Sequence, residues 1–121
     1  MIYSGIDLIE IERIESTILR YGRQFLERIY TSQELEEVGS HPASLAARFA
    51  AKEAVAKALG TGIGAVGWLE IEIRRDPSGQ PILFLYGAAA ELAATHGWSH
   101  WSVSLSHTHS HAIAMVVAVG D

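Results

Sequence analysis

An alanine-rich stretch over residues 43–59 constrains the fold of this chain more than any other segment. It consists largely of strong helix formers, and Gly60 follows it at the place where a helix is expected to end. On a helical wheel its apolar stripe comprises Leu45, Phe49, Ala56 and Leu59. The pattern therefore predicts one long helix with an apolar side.

Shorter strand and helix patterns surround this helix. Strands are expected over residues 2–8, 69–74, 82–86, 101–105 and 113–119, and further helices over residues 10–21, 23–30 and 87–96. Thr31 and Glu34 have the spacing of a capping box. Because adjacent strands are close enough in sequence to form hairpins, we expect an α+β fold with a mainly antiparallel sheet packed with the long central helix.

Length and composition exclude several classes of protein. A chain of 121 residues without a linker or repeat is expected to form a single domain over residues 1–121. Its formal charge of −5 argues against nucleic-acid and membrane-surface binding, and its lack of cysteine excludes disulfides and thiolate sites. The longest apolar run, residues 112–119, is too short to span a membrane, and the N-terminal residues form no basic leader. We therefore expect a cytoplasmic protein.

Three residues are the strongest candidates for chemistry. The spacing of Glu53 and Lys57 places both on one helical face beside the apolar stripe, where they form either a surface ion pair or the lining of a cleft. Asp7 lies near the end of an apolar strand, so it either caps the next helix or binds a cation. Asp7 and Glu53 together offer the hard oxygen ligands that Mg²⁺ prefers.

Two further segments leave alternatives open. The run Gly60–Gly67 either ends the helix or forms a loop whose amides approach a ligand, but because it follows a helix it does not match a dinucleotide-binding fingerprint. On a continuous strand, His107, His109 and His111 would share one face and suggest a transition-metal site, whereas a turn would separate them. His107 alone is a candidate for a phosphate or base contact, or an idle surface residue.

The chain also has one locally cationic stretch, between residues 13 and 28. Such a stretch is typical either of a solvated helix face or of a docking patch for an acidic protein. Its arginines are Arg13, Arg20, Arg23 and Arg28.

Three segments resemble one family. Residues 5–14, GIDLIEIERI, are similar to the N-terminal signature of bacterial holo-acyl-carrier-protein synthases, and residues 48–62, RFAAKEAVAKALGTG, are similar to their central signature. Residues 103–108, VSLSHT, match a third, C-terminal segment. The resemblance covers nearly the whole chain and implies the 4′-phosphopantetheinyl transferase fold.

The resemblance implies an enzyme that moves phosphopantetheine from coenzyme A to a serine hydroxyl of apo acyl carrier protein. Adenosine 3′,5′-bisphosphate would leave, and the reaction would serve fatty acid biosynthesis. By position, Asp7 and Glu53 match the family's Mg²⁺ ligands, and Lys57 matches a lysine that contacts a coenzyme A phosphate. Further positions implied near the cofactor are Arg48, Gly60, Thr61, Gly62, His107 and Thr108.

Assembly and partners are implied in the same way. Short members of the family form homotrimers, in which the neighbouring subunit supplies the pair that matches His107 and Thr108. Arg13 matches an arginine that meets the acidic carrier protein, and Arg20 and Arg23 extend the same cationic stretch.

The residues leave the proton acceptor and two other functions open. Glu53, or a metal-bound water beside Asp7, is the candidate base for the serine proton. A non-catalytic trimeric binding domain and a metal-binding domain built on the histidine-rich loop remain alternative interpretations.

Overall fold

Five strands and five α-helices make up the computed structural model, which describes residues 1–120. The strands are β1 Ile2–Glu10, β2 Ile71–Arg75, β3 Pro81–Leu85, β4 Trp98–His107 and β5 His111–Gly120. The helices are α1 Ile11–Tyr21, α2 Arg23–Ile29, α3 Ser32–Val38, α4 Pro42–Ala58 and α5 Gly87–Thr95. This order confirms the expected α+β class.

The strands form two sheets rather than one. β5 lies between β1 and β4 in a three-stranded sheet, whereas β2 pairs only with β3, and every pair of these strands is antiparallel. α4 packs across one face of the larger sheet, mainly against β1 and β5. The expected packing of a long helix on an antiparallel sheet is confirmed. No helix within residues 1–120 has the length and apolar character needed to cross a membrane.

α4 is buried on almost every side. Between Leu45 and Leu59 the side chains that are not fully buried are those of Phe49, Glu53 and Lys57. They recur every four residues, so they form one open stripe along the helix. Phe49 therefore lies on this half-buried stripe and not, as expected from the helical wheel, among the fully buried residues.

The edge of β2 that does not pair with β3 forms its hydrogen bonds with side chains and not with a third strand. The carbonyl oxygen of Ile71 accepts a hydrogen bond from Lys52 Nζ (2.7 Å), and that of Ile73 accepts one from Arg48 Nε (3.1 Å). The amide of Ile73 donates to Glu34 Oε2 (2.9 Å), and Glu34 also forms a fully buried ion pair with Lys52 (2.7 Å). These bonds satisfy backbone groups that burial would otherwise leave unpaired, and they fix α3 and α4 against β2.

β2 differs from its sequence prediction in two respects. Leu69 lies in a 3₁₀ turn, so the strand begins at Ile71. Glu72, expected on the polar side of a half-buried strand, is buried. Its carboxylate accepts hydrogen bonds from the hydroxyls of Thr31 (2.5 Å) and Tyr86 (2.9 Å), and these partners offset the cost of burying it.

Gly5 allows β1 and α4 to approach each other closely. A Cβ atom at Gly5 would collide with the carbonyl oxygen of Ala54, which belongs to the backbone of α4 and has little freedom to move. Any larger residue would push the helix away from the strand. Because Asp7 lies two residues further along β1, the same contact sets how near it comes to α4.

We expect Gly5→Ala to lower the free energy of unfolding by about 1–3 kcal/mol, because the added methyl group overpacks a backbone contact. Urea unfolding would show this as a lower midpoint with an unchanged m-value. Ser4→Ala, on the exposed face of the same strand, is the control and should have little effect. Equal midpoints for the two variants would contradict this role for Gly5.

Candidate active site

β1 and α4 bring together the three strongest candidates from the sequence. Asp7 lies on the face of β1 that packs on α4, and Lys57 Nζ donates to Asp7 Oδ1 (2.9 Å) and to the carbonyl oxygen of Ile6 (3.0 Å). Asp7 and Glu53 both line a cavity of about 260 Å³. Arg13 of α1 also lines this cavity. Residues from two separate sequence signatures therefore share one site.

The charges in this cavity make it suitable for a cation. Partial burial raises the pKa of the Glu53 carboxyl, and the negative charge of Asp7 raises this pKa further, whereas Lys57 lowers it. Because both groups are negatively charged when ionised, the two carboxylates repel each other. A hard divalent cation between them would relieve this repulsion, and carboxylate oxygens are the ligands that Mg²⁺ prefers. Asp7 and Glu53 thus fit a magnesium site.

Aromatic residues form the apolar side of the cavity. Phe49 lines it and packs against Trp68, with ring centroids 4.7 Å apart. Phe25 of α2 also lines it and stacks on Phe49 at 6.4 Å. These rings make one side of the cavity apolar, which lowers the local dielectric constant and strengthens electrostatic interactions there. Sequence reasoning missed Phe25, and the one available signal for Phe49 was its spacing of four residues from Glu53.

The glycine-rich turn after α4 uses its backbone amides to end the helix. The amide of Gly60 donates to the carbonyl of Lys57 (2.9 Å), and those of Thr61 and Gly62 donate to the carbonyl of Ala56 (3.2 and 3.1 Å). The C-terminus of a helix also carries partial negative charge, which disfavours phosphate. The turn thus ends the helix, and contact of Gly60, Thr61 and Gly62 with a ligand stays a prediction; the cation at this end of α4 is the Lys57 ammonium.

His107 and Thr108 lie at the exposed tip of the β4–β5 hairpin and do not line the cavity of Asp7. Strand β4 ends at His107 and β5 begins at His111, so a turn separates the three alternating histidines. Within residues 1–120 no group of three or more histidine, aspartate or glutamate side chains is placed to hold a metal ion. The histidine-rich loop therefore does not form a zinc site within one chain.

Arg48, expected near a cofactor phosphate, lies inside the protein. Its side chain has no exposed surface, and its guanidinium bonds Ile73 O and pairs with Glu37 (2.9 Å). Its position in this chain therefore supports a structural role at the edge of β2. Sequence spacing could not reveal this, because the partners come from α3 and β2.

Arg48→Met should lower the free energy of unfolding by about 1–3 kcal/mol, because it leaves a buried carbonyl without its donor. We expect calorimetry on the folded variant to give nearly unchanged affinity for coenzyme A. Arg20→Met, which removes an exposed arginine from α1, is the stability control. Normal stability combined with a large loss of coenzyme A affinity would instead support direct contact between Arg48 and the cofactor.

The predicted cationic patch is exposed on α1 and α2. Arg13, Arg20 and Arg23 all have exposed side chains. Arg23 also pairs with Glu27 (3.2 Å), but both partners are well exposed, so this ion pair contributes little to stability. Arg13 belongs to this patch and also lines the cavity of Asp7 and Glu53, so the patch begins at the candidate site.

Solved structures with the same fold carry related sequences. Holo-[acyl-carrier-protein] synthase from Helicobacter pylori, solved in complex with coenzyme A, is 37% identical to this chain; it superposes with a TM-score of 0.88 over 98% of this chain and 100% of that one. The Neisseria meningitidis holo-[acyl-carrier-protein] synthase gives a TM-score of 0.89 at 40% identity, covering 98% and 99%.

Sequence comparison leads to the same group. A curated relative from Herpetosiphon aurantiacus, a holo-[acyl-carrier-protein] synthase, is 47% identical over 99% of this chain and 100% of its own length. The family model of the 4′-phosphopantetheinyl transferase superfamily matches residues 4–116, which include every candidate residue discussed above. The chain therefore belongs to the 4′-phosphopantetheinyl transferase superfamily, among the holo-[acyl-carrier-protein] synthases.

Proposed function

We propose that this protein transfers the 4′-phosphopantetheine group of coenzyme A to a serine hydroxyl of apo acyl carrier protein, in the cytoplasm and for fatty acid biosynthesis. The serine oxygen attacks the phosphorus that bears the pantetheine arm, and the bond from this phosphorus to the bridging oxygen breaks. Adenosine 3′,5′-bisphosphate leaves. The observation that carries the proposal is that Asp7 and Glu53 line one cavity, with Lys57 paired to Asp7 beside it, in a chain of this family.

Mg²⁺ held by Asp7 and Glu53 would neutralise charge on the pyrophosphate oxygens as they leave. The repulsion between the two carboxylates supports this assignment. Lys57, whose side chain is about half exposed, is the cation available to bind a phosphate. Glu53 lines the cavity, and its carboxylate is the proposed base for the serine proton.

The decisive experiment combines the protein with apo acyl carrier protein, coenzyme A and Mg²⁺, and then measures the mass of the carrier. We expect the carrier to gain one phosphopantetheine group. Glu53→Gln should slow the transfer by about 100-fold or more, because it removes both a metal ligand and the proposed base.

Glu91→Gln is the matched control, since Glu91 is an exposed carboxylate on α5 far along the chain from the site. It should transfer at the wild-type rate. No mass gain with the wild-type protein would overturn the proposed reaction. A near-normal rate for folded Glu53→Gln at saturating Mg²⁺ would overturn the role of Glu53 alone.

We further propose that three copies assemble and share their active sites. The face of the larger sheet opposite α4 supports self-association, because β1 and β5 expose a largely apolar surface there, with Ser4 as a polar residue within it. Its most exposed members are Ile2, Ile6, Leu8, Met115 and Val119. His107 and Thr108 are exposed at the tip of the β4–β5 hairpin, so they are accessible to a second copy. The docking partner proposed for the cationic patch is the acidic acyl carrier protein.

Met115→Asp should dissociate the assembly, because it places a charge at the centre of the apolar face, opposite Ile6. Sedimentation velocity would show a shift from trimer to monomer. Leu19→Asp is the control: this exposed apolar residue lies on α1, away from the sheet face, and its substitution should leave the trimer intact. A monomeric wild-type protein, or a trimeric Met115→Asp variant, would contradict this assembly.

A further inference from the structure

Lys57 has two roles to reconcile. Its ammonium group bonds Asp7 Oδ1 (2.9 Å) and the carbonyl oxygen of Ile6 (3.0 Å), so two of its three donors are engaged within the protein. The same ammonium is the proposed partner of a substrate phosphate, and the same carboxylate is a proposed metal ligand. One oxygen of Asp7 and two donors of Lys57 are already engaged, so a metal and a phosphate would each have to share these groups with the ion pair.

Electrostatic repulsion makes the Lys57 ammonium and a divalent cation compete for Asp7. An ammonium on one oxygen of Asp7 and a divalent cation on the same carboxylate would lie only a few ångströms apart and would repel each other. Loss of the lysine from Asp7 without replacement would leave a carboxylate that is mostly shielded from solvent, with 19% of its side chain exposed, without its cation. Exchange of one cation for the other avoids both costs.

We propose that Lys57 is the resident cation of Asp7 in the ligand-free protein, and that a divalent cation displaces it and frees it to bind the substrate phosphate. The inference rests on the proposed function, because it takes Asp7 as a metal ligand. By linkage, whatever draws Lys57 to a phosphate also raises the affinity of Asp7 for the metal. Metal and phosphate thus bind cooperatively through one mobile side chain.

The first test measures Mn²⁺ affinity by electron paramagnetic resonance, with neither coenzyme A nor carrier present. Lys57→Met removes the competing ammonium and keeps much of the side chain's length. Because a partly exposed ion pair of this kind is modest in strength, Mn²⁺ should bind about two- to five-fold more tightly to this variant than to the wild type. Adding Asp7→Asn to it should abolish the gain.

Arg13→Met is the matched control. It removes a positive charge from the same cavity, but the Arg13 side chain makes no ion pair with a described residue. It should change Mn²⁺ affinity less than Lys57→Met does. An equal gain in both variants would mean that only the general loss of positive charge matters, and it would overturn the exchange.

The second test follows Lys57 directly. The chain has two lysines, Lys52 and Lys57, so a lysine-specific ¹³Cε label gives two signals in an NMR spectrum. Addition of Mg²⁺ alone should shift the signal of Lys57. The signal of Lys52, which is fully buried and paired with Glu34, should stay in place and serves as the internal control.

The outcomes separate this inference from the proposed function. Tighter Mn²⁺ binding to Lys57→Met, together with a Mg²⁺-dependent shift of the Lys57 signal, supports the exchange. Equal affinities and an unmoved signal, in a protein that binds Mn²⁺ and transfers phosphopantetheine, overturn the exchange and leave the proposed function standing. If millimolar Mn²⁺ does not bind even with coenzyme A present, the metal site fails and the exchange fails with it.

Discussion

Glu34 and Lys52 form an ion pair in which both side chains are fully buried, and the geometry of the site depends on it. A buried pair is tolerated when its remaining donors and acceptors are also satisfied. Lys52 meets this condition by donating to the carbonyl oxygens of Trp68 (2.9 Å) and Ile71 (2.7 Å), and Glu34 by accepting from the amide of Ile73 (2.9 Å). Because Trp68, Ile71 and Ile73 contribute backbone atoms to these bonds, a single orientation of α4 about its axis satisfies all of them.

That orientation determines which side chains α4 presents to the cavity. Arg48 and Lys52 lie on the stripe that bonds β2, and each neighbouring residue along a helix is turned by about 100°. The residues that follow them, Phe49 and Glu53, therefore lie on the next stripe, which continues to Lys57. One short motif thus anchors the helix with its cations and presents the active-site residues beside them. The same bonds therefore help to fix the orientation in which Glu53 faces Asp7.

Much of this arrangement was predictable from the sequence, because much of it is local. The limits of α4, the capping box of α3 and the shared face of Glu53 and Lys57 follow from helix periodicity and capping chemistry, and the structure agrees with each. What was missed depends on partners far away in the chain. From the sequence, Arg48 is expected to be a surface or phosphate-binding residue. Its buried partners become visible only in the structure, because the carbonyl of Ile73 belongs to the edge of β2 and Glu37 belongs to α3. The sequence around Gly5 gives no sign of its role, which is to let the backbone of α4 pack closely against β1.

The net charge of −5 makes an anionic substrate look unfavourable for this chain, but the charges near Asp7 explain how a polyanion can bind. Asp7 and Glu53 carry two negative charges, and Lys57 and Arg13 carry two positive ones, so the ligand-free site has no net charge with which to attract a phosphate. In the proposed mechanism a divalent cation makes the net charge of these four groups and the metal positive, and it releases Lys57 from Asp7 toward the ligand. The divalent cation and the released Lys57 ammonium then both face the phosphates. In this proposal the acidic residues make phosphate binding conditional on the metal, and a site built from lysines alone would lack that control.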